Sequence, residues 1–184
     1  MLGAAQESWL QHEMRVSQSQ WNIFANQVRM TVVDQTPGPG ESYAMDQWSG
    51  YENARRRFVA GLLDTKISNP VVITGDIHSN WVGDLKLDYR ERTSTVVGTE
   101  LVGTSISSGG DGANSNPMIE ATLPDNPQIK FYNSQRGYVR CEVTRKSLVA
   151  DFRVVAKVSV PESPISTRAS FIVETGRPGA VVRS

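Results

Sequence analysis

Residues 51–64 carry an apolar stripe at i, i+3, i+4 spacing, built from Tyr51, Ala54, Phe58 and Leu62 with Val59 and Leu63 beside it. Asn69-Pro70 then turns the chain into the run Val71-Val72-Ile73-Thr74. This handover constrains the fold more than any other feature. The stripe predicts an amphipathic helix over 51–64. A residue before proline is held out of the helical region, so the helix stops short of Asn69. The β-branched run after it predicts a buried strand over 71–75. A helix, a short link and a buried strand is the pattern of a layered α/β fold. The strand ends at Gly75, and Asp76 and His78 follow at once. In open α/β sheets, ligands gather just beyond the carboxyl ends of strands. A carboxylate and an imidazole two residues apart at such an edge suit one hard or borderline metal ion. The competing reading is a plain loop, with Asp76 capping backbone amides and His78 packed on Trp81.

Upstream, residues 4–15 read as a short helix with Trp9, Leu10 and Met14 on its apolar side. Weak alternation from Trp21 predicts a strand near 22–33. Thr36-Pro37-Gly38-Pro39-Gly40-Glu41-Ser42 sustains neither helix nor strand and predicts a loop running on towards Gly50. After residue 70 the chain is β-rich. Strands are predicted over 81–87, 95–106, 129–133, 138–144, 148–156 and 169–174. Thr144-Arg145-Lys146-Ser147 joins two of them as a hairpin. Val139, Cys141 and Val143 are expected to face the core from one arm, and Leu148, Ala150, Phe152 and Val154 from the other. Ser107 to Asn114 reads as a flexible loop. The tail 176–184 is expected to be loose.

The 184 residues suffice for one domain with a substantial core, so residues 1–184 are read as a single domain. Lys+Arg 19 balances Asp+Glu 19, which leaves no global field for nucleic acid or an anionic membrane. Arg55-Arg56-Arg57 is the one dense basic run and reads as a solvated helix face. One cysteine, Cys141, excludes an internal disulfide and reads as a buried strand thiol. No apolar stretch approaches the roughly 18 residues that span a bilayer. His 2 in the composition, His12 and His78, argues against a histidine-rich zinc centre. Ser105, Ser107 and Ser108 beside Gly109-Gly110 do not read as a P-loop, because no helix is expected to follow that loop.

Gly75-Asp76-Ile77-His78-Ser79-Asn80-Trp81, followed by Gly103-Thr104-Ser105-Ile106-Ser107-Ser108-Gly109, resembles the C-terminal half of PhoD-like alkaline phosphatases. Other segments agree in order. Leu2-Gly3-Ala4-Ala5-Gln6-Glu7-Ser8-Trp9-Leu10 looks like the family's segment before the second half of its sheet. Trp48-Ser49-Gly50-Tyr51 resembles its Trp-Asp-Gly-Tyr stretch, with Ser49 in place of the aspartate. Phe131-Tyr132-Asn133-Ser134-Gln135-Arg136-Gly137-Tyr138-Val139-Arg140 resembles its late Asn-x-Gln-Arg-Gly-Tyr motif. The match runs from about Leu2 to Ala180.

The resemblance implies a calcineurin-like metallophosphoesterase fold, with two β-sheets packed face to face and helices outside, of which this chain holds the C-terminal half. It implies a phosphate-ester substrate, iron with calcium as cofactors, and a secreted or periplasmic bacterial enzyme. It carries Asp76 and His78 over as metal ligands. Arg136 is expected near the substrate as a planar fork of donors for phosphate oxygens, with a structural pair to a carboxylate as the other reading. Asn80 and Trp81 are expected to support His78 or simply to pack. The family's earlier metal-binding motifs have no counterpart here, so a complementary N-terminal half is expected as a partner. The alternative is an inactive β-rich binding or structural module. Half a sandwich is further expected to expose an apolar sheet face and to self-associate.

Overall fold

The computed structural model describes residues 2–183. Two sheets pack face to face with helices on one outer side, so the α/β class and the sandwich architecture of the sequence reading are found. α1 spans Ala4–Val16 and α2 spans Glu52–Thr65. β1 (Asn22–Ala25), β2 (Pro70–Thr74), β3 (Asn80–Lys86), β4 (Val96–Val102) and β5 (Ile129–Asn133) form one sheet in the order β1-β2-β4-β3-β5. β1, β2 and β4 run parallel, while β3 is antiparallel to both β4 and β5. β6 (Gly137–Val143), β7 (Ser147–Val155), β8 (Ile165–Glu174) and β9 (Arg177–Val182) form an antiparallel sheet in sequence order. A one-and-a-half-turn helix, α3, occupies Pro117–Thr122.

The helices cover one face of the five-stranded sheet. Met14 of α1 and Phe58, Val59 and Leu62 of α2 pack with Val72, Leu85 and Val97. Arg57 on α2 pairs with Glu7 on α1 at the exposed side of this layer. The opposite face meets the second sheet. There Val71, Val82 and Leu101 bury against Leu148, Ala150, Phe152, Phe171, Val173 and Ala180. Phe131, Phe152 and Phe171 form a cluster of aromatic rings with centroids 5.0, 5.5 and 6.1 Å apart. Because both layers come from this chain, the open apolar sheet face expected of half a sandwich does not occur. What remains unpaired among the described residues is one flank of each edge strand, β1 and β5 in this sheet and β6 and β9 in the other.

Four other expectations are corrected. The strand near 22–33 stops at Ala25. Beyond it, the amides of Arg29, Met30 and Thr31 donate to side chains, Gln47 Oε1 at 2.9 Å and the two Glu100 oxygens at 2.6 and 2.7 Å. Those acceptors replace a neighbouring strand, so the segment needs no ladder. The tail from Gly176 is not loose. It is β9, joined to β8 by a tight turn in which Gly176 has φ +77, a conformation glycine adopts without strain. Pro178 is tolerated because β9 is an edge strand. Cys141 is exposed, not buried, because β6 lies at the other edge of that sheet and its far end is uncovered.

The basic run is not uniformly solvated either. Arg55 is 2 % exposed, with its guanidinium over the Tyr89 ring at 4.9 Å and Nη1 donating to the Lys86 carbonyl at 3.2 Å. A planar cation stacked on an aromatic face and donating at its rim can be buried where an ammonium would not. Arg56 and Arg57 do face outward, paired with Glu52, Asp88 and Glu7.

One carboxylate links the second sheet to pH. Asp151 accepts from the Ser170 hydroxyl at 2.7 Å and from Arg140, and the two together hold its carboxyl below the usual aspartate value of 3.8. An acid whose pKa is depressed by folding stabilises the fold above its unfolded pKa and loses that contribution as pH falls through the folded one. Asp151→Asn is therefore expected to lower the melting temperature at pH 7. The gap to the parent should close as the pH drops below about 4. Melting curves across that range check the sign; a gap that widens in acid would refute it.

Candidate metal centre and its supporting loops

β2 delivers the chain to the sheet's edge at Thr74, where the Gly103 amide donates to the Thr74 carbonyl at 2.9 Å. The loop then turns tightly, with the Ile77 amide on the Gly75 carbonyl at 2.9 Å. Asp76 and His78 both take left-handed backbone conformations, φ +70 and φ +52. Asp and His visit this region more readily than most residues, and such angles cluster at functional sites. Ile77 between them packs against the Val33, Trp81 and Val102 cluster. That anchor leaves Asp76 and His78 exposed on either side of it. Gln47 Nε2 reaches Asp76 Oδ2 at 3.5 Å, and Gln47 is itself fixed by accepting from the Arg29 amide.

The chain on the far side of His78 is tied down by buried polar groups. Trp81 Nε1 donates to Ser79 Oγ at 2.7 Å. Asn80, 1 % exposed, donates from Nδ2 to Asn133 Oδ1 and to the Gln135 carbonyl, both at 3.3 Å, and accepts from the Thr104 amide at 3.1 Å. Asn80 thereby joins three loops at one edge. Trp81 fills the cluster beneath them, with its ring 4.7 Å from that of Tyr132.

Arg136 sits in the same place, 5 % exposed. Its Nη1 donates to the His78 carbonyl and to Thr104 Oγ1 and Ser105 Oγ, Nε donates to the Gly110 carbonyl at 2.8 Å, and Nη2 to the Gly109 carbonyl at 3.3 Å. These acceptors are carbonyl and hydroxyl oxygens, so the carboxylate pair of the sequence reading is not formed. The guanidinium clamps the His78 loop to the Ser105–Gly110 loop. Gly112 lets this second loop close on Ser134: its φ is +73, and a Cβ there would lie 1.8 Å from the Ser134 carbonyl oxygen.

Asp76 and His78 offer the oxygen and nitrogen donors that a hard or borderline metal accepts. Among the described residues, no three or more His, Cys, Asp and Glu side chains stand together as a metal-binding group. The pair therefore fits a metal as part of a ligand set and does not close a site by itself, since water activation ordinarily takes three protein ligands. Ser49, which replaces the family's aspartate, donates to the Ala44 carbonyl at 2.8 Å and serves the local turn.

Sequence reasoning missed Gln47 and Arg29 at this edge. Both come from irregular chain, where no periodicity marks a residue. It also missed α3, although Asn116 before Pro117 is a legible start, with Asn116 Oδ1 capping the Met118 amide at 3.0 Å.

Comparison with known proteins agrees with this architecture. The family model described as PhoD-like phosphatase matches residues 1–152. Alkaline phosphatase D of Bacillus subtilis (strain 168) is 39% identical over 179 residues, covering 97% of this chain and 31% of the relative. A solved structure titled "Structure of PhoD" superposes with a TM-score of 0.94 at 39% identity, over 100% of this chain and 35% of that one. This chain spans about a third of the length of each. A family match over most of its residues, a relative at 39% identity and a shared fold together place the chain in the PhoD-like phosphatase family.

Proposed function

We propose that this chain supplies part of the active site of a metal-dependent phosphatase that hydrolyses phosphate esters. The observation that carries the proposal is the pair of exposed donors, Asp76 and His78, held in left-handed backbone conformations at the carboxyl end of a central parallel strand. In this reading Asp76 and His78 are metal ligands, and further donors come from outside the described residues. Gln47 orients the Asp76 carboxylate. Arg136 acts as a positioning residue, holding the His78 carbonyl and the neighbouring loop. Bound metal ions would neutralise the phosphoryl oxygens and acidify a water. Iron with calcium is the proposed pair of ions, and a location outside the cytoplasm belongs to the same proposal.

The test is hydrolysis of p-nitrophenyl phosphate by this chain alone and by this chain combined with the remaining portion of the Bacillus relative. The chain alone is expected to stay at the buffer rate. The combination is expected to turn over, to stop on treatment with a chelator and to recover when metal returns. Turnover by the combination that survives exhaustive chelation would overturn the proposal.

A further inference from the structure

A cavity of about 870 Å³ adjoins the Asp76–His78 loop, sharing Ile77 and Ser79 with it. Its walls are mixed. Trp81, Tyr132, Met118 and Ile119 give an apolar and aromatic side, Arg29 gives a cation and Asp46 a carboxylate. Arg29 is 4 % exposed, and its guanidinium carbon lies 4.9 Å from the centroid of the Trp81 ring. Its Nε is enclosed and has no hydrogen-bond acceptor among the described residues. The carboxylates that feel its charge most are Glu100 and Asp46. Glu100 is occupied by the Met30 and Thr31 amides and Thr74 Oγ1.

A buried guanidinium with an enclosed donor left unmatched is costly. Arg55 Nε is likewise unmatched, but of the two only Arg29 lines this cavity, and a planar guanidinium matches the oxygens of phosphate or carboxylate. Arg136, by contrast, has its donors taken by loop oxygens, which leaves Arg29 as the cation with donor capacity to spare beside this site. Burial pushes the Arg29 pKa below the ordinary arginine value, with Glu100 opposing that shift; arginine still remains a cation in proteins.

We propose that this cavity is a subsite for the organic half of the ester. Its apolar body lies against Trp81, Tyr132 and Ile119, and a second oxyanion on that half is held by the Arg29 guanidinium. Arg29 is thus a specificity residue, selecting esters whose alcohol portion is apolar and itself anionic. The inference rests on the phosphatase reading above, which supplies the ester to which the oxyanion belongs.

The test uses phenylphosphonate, an apolar ring bearing an oxyanion that cannot be hydrolysed, titrated calorimetrically into the chain with a chelator present throughout. The parent chain is expected to bind it, and to bind neutral 2-phenylethanol at least tenfold more weakly. Arg29→Gln should lose at least tenfold in affinity, Arg29→Lys should lose less, and Glu142→Gln, exposed on β6 away from the cavity, should lose nothing. The Arg29 Nε–H resonance of the unsubstituted chain should shift on titration, which keeps the test decisive if Arg29→Gln fails to fold. An absence of binding, equal binding by Arg29→Gln, a still Nε–H resonance, or loss of binding in Glu142→Gln would each overturn the subsite. Binding under chelation is independent of turnover, so failure here is distinguishable from failure of the hydrolase proposal.

Discussion

Asp76→Asn and His78→Asn are each expected to reduce phosphate-ester turnover by the assembled enzyme at least about a hundredfold. Partners that merely orient metal ligands are already worth about 10- to 100-fold, and a ligand itself should be worth no less. Asparagine is the informative replacement. It tolerates left-handed backbone angles, so the turn through φ +70 and φ +52 survives in both variants. Both side chains are exposed, so neither substitution opens a cavity or strands a buried charge, and melting temperatures should stay close to that of the parent. Turnover and bound metal, measured together on the same preparations, are expected to fall together. Parental turnover in either variant, with its fold intact, would remove that residue from the proposed ligand set.

Glu100→Ala should be the most damaging single substitution for stability, at about 3–5 kcal/mol. Glu100 is 0 % exposed and stands on β4, in the middle of its sheet. Its two oxygens are the acceptors for the Met30 and Thr31 amides, and Thr74 Oγ1 donates to one of them at 3.2 Å. Truncation leaves two buried amides without an acceptor and opens a hole under the 26–34 segment. A buried donor left unmatched costs about 1–3 kcal/mol. Burial pushes the Glu100 carboxyl above its usual range, while the Thr31 and Met30 donors and Arg29 pull it back. Glu100→Gln keeps the shape but can present only one acceptor oxygen, so it should lose about 1–3 kcal/mol. Urea unfolding of the three proteins checks the order; a Glu100→Ala chain as stable as the parent would show that the segment is held by something else.

The contrast between Glu100 and Asp76 shows what could be read from this chain before its structure. α2 and β2 were legible because periodicity and a proline break are local signals, and the Asp76–His78 pair inherited that clarity by following the strand directly. The hairpin of β6 and β7 was legible for the same reason. The 26–34 segment was not. Its backbone is satisfied by Glu100, about 70 positions away, and a side chain serving as a strand's substitute leaves no pattern in either segment. Cys141 was misplaced because alternation marks which residues share a face and not whether anything covers it. β9 was hidden by Pro178 and Gly179, which weaken a strand in general and are tolerated on an edge. Arg136 stood out by residue type, but only the positions of the Gly109, Gly110 and His78 carbonyls reveal that its fork is directed at the protein itself.

The second sheet joins its strands in sequence order, whereas the first pairs Asn22 with Pro70 and Val71 with Thr99. Short-range pairings close small loops and form quickly; parallel pairings across long stretches wait for larger losses of chain entropy. The meander from Gly137 to Val182 can therefore assemble early and offer Phe152 and Phe171 as a template on which the slower parallel strands condense. On that route, the segment bearing Asp76 and His78 is among the last to acquire its shape.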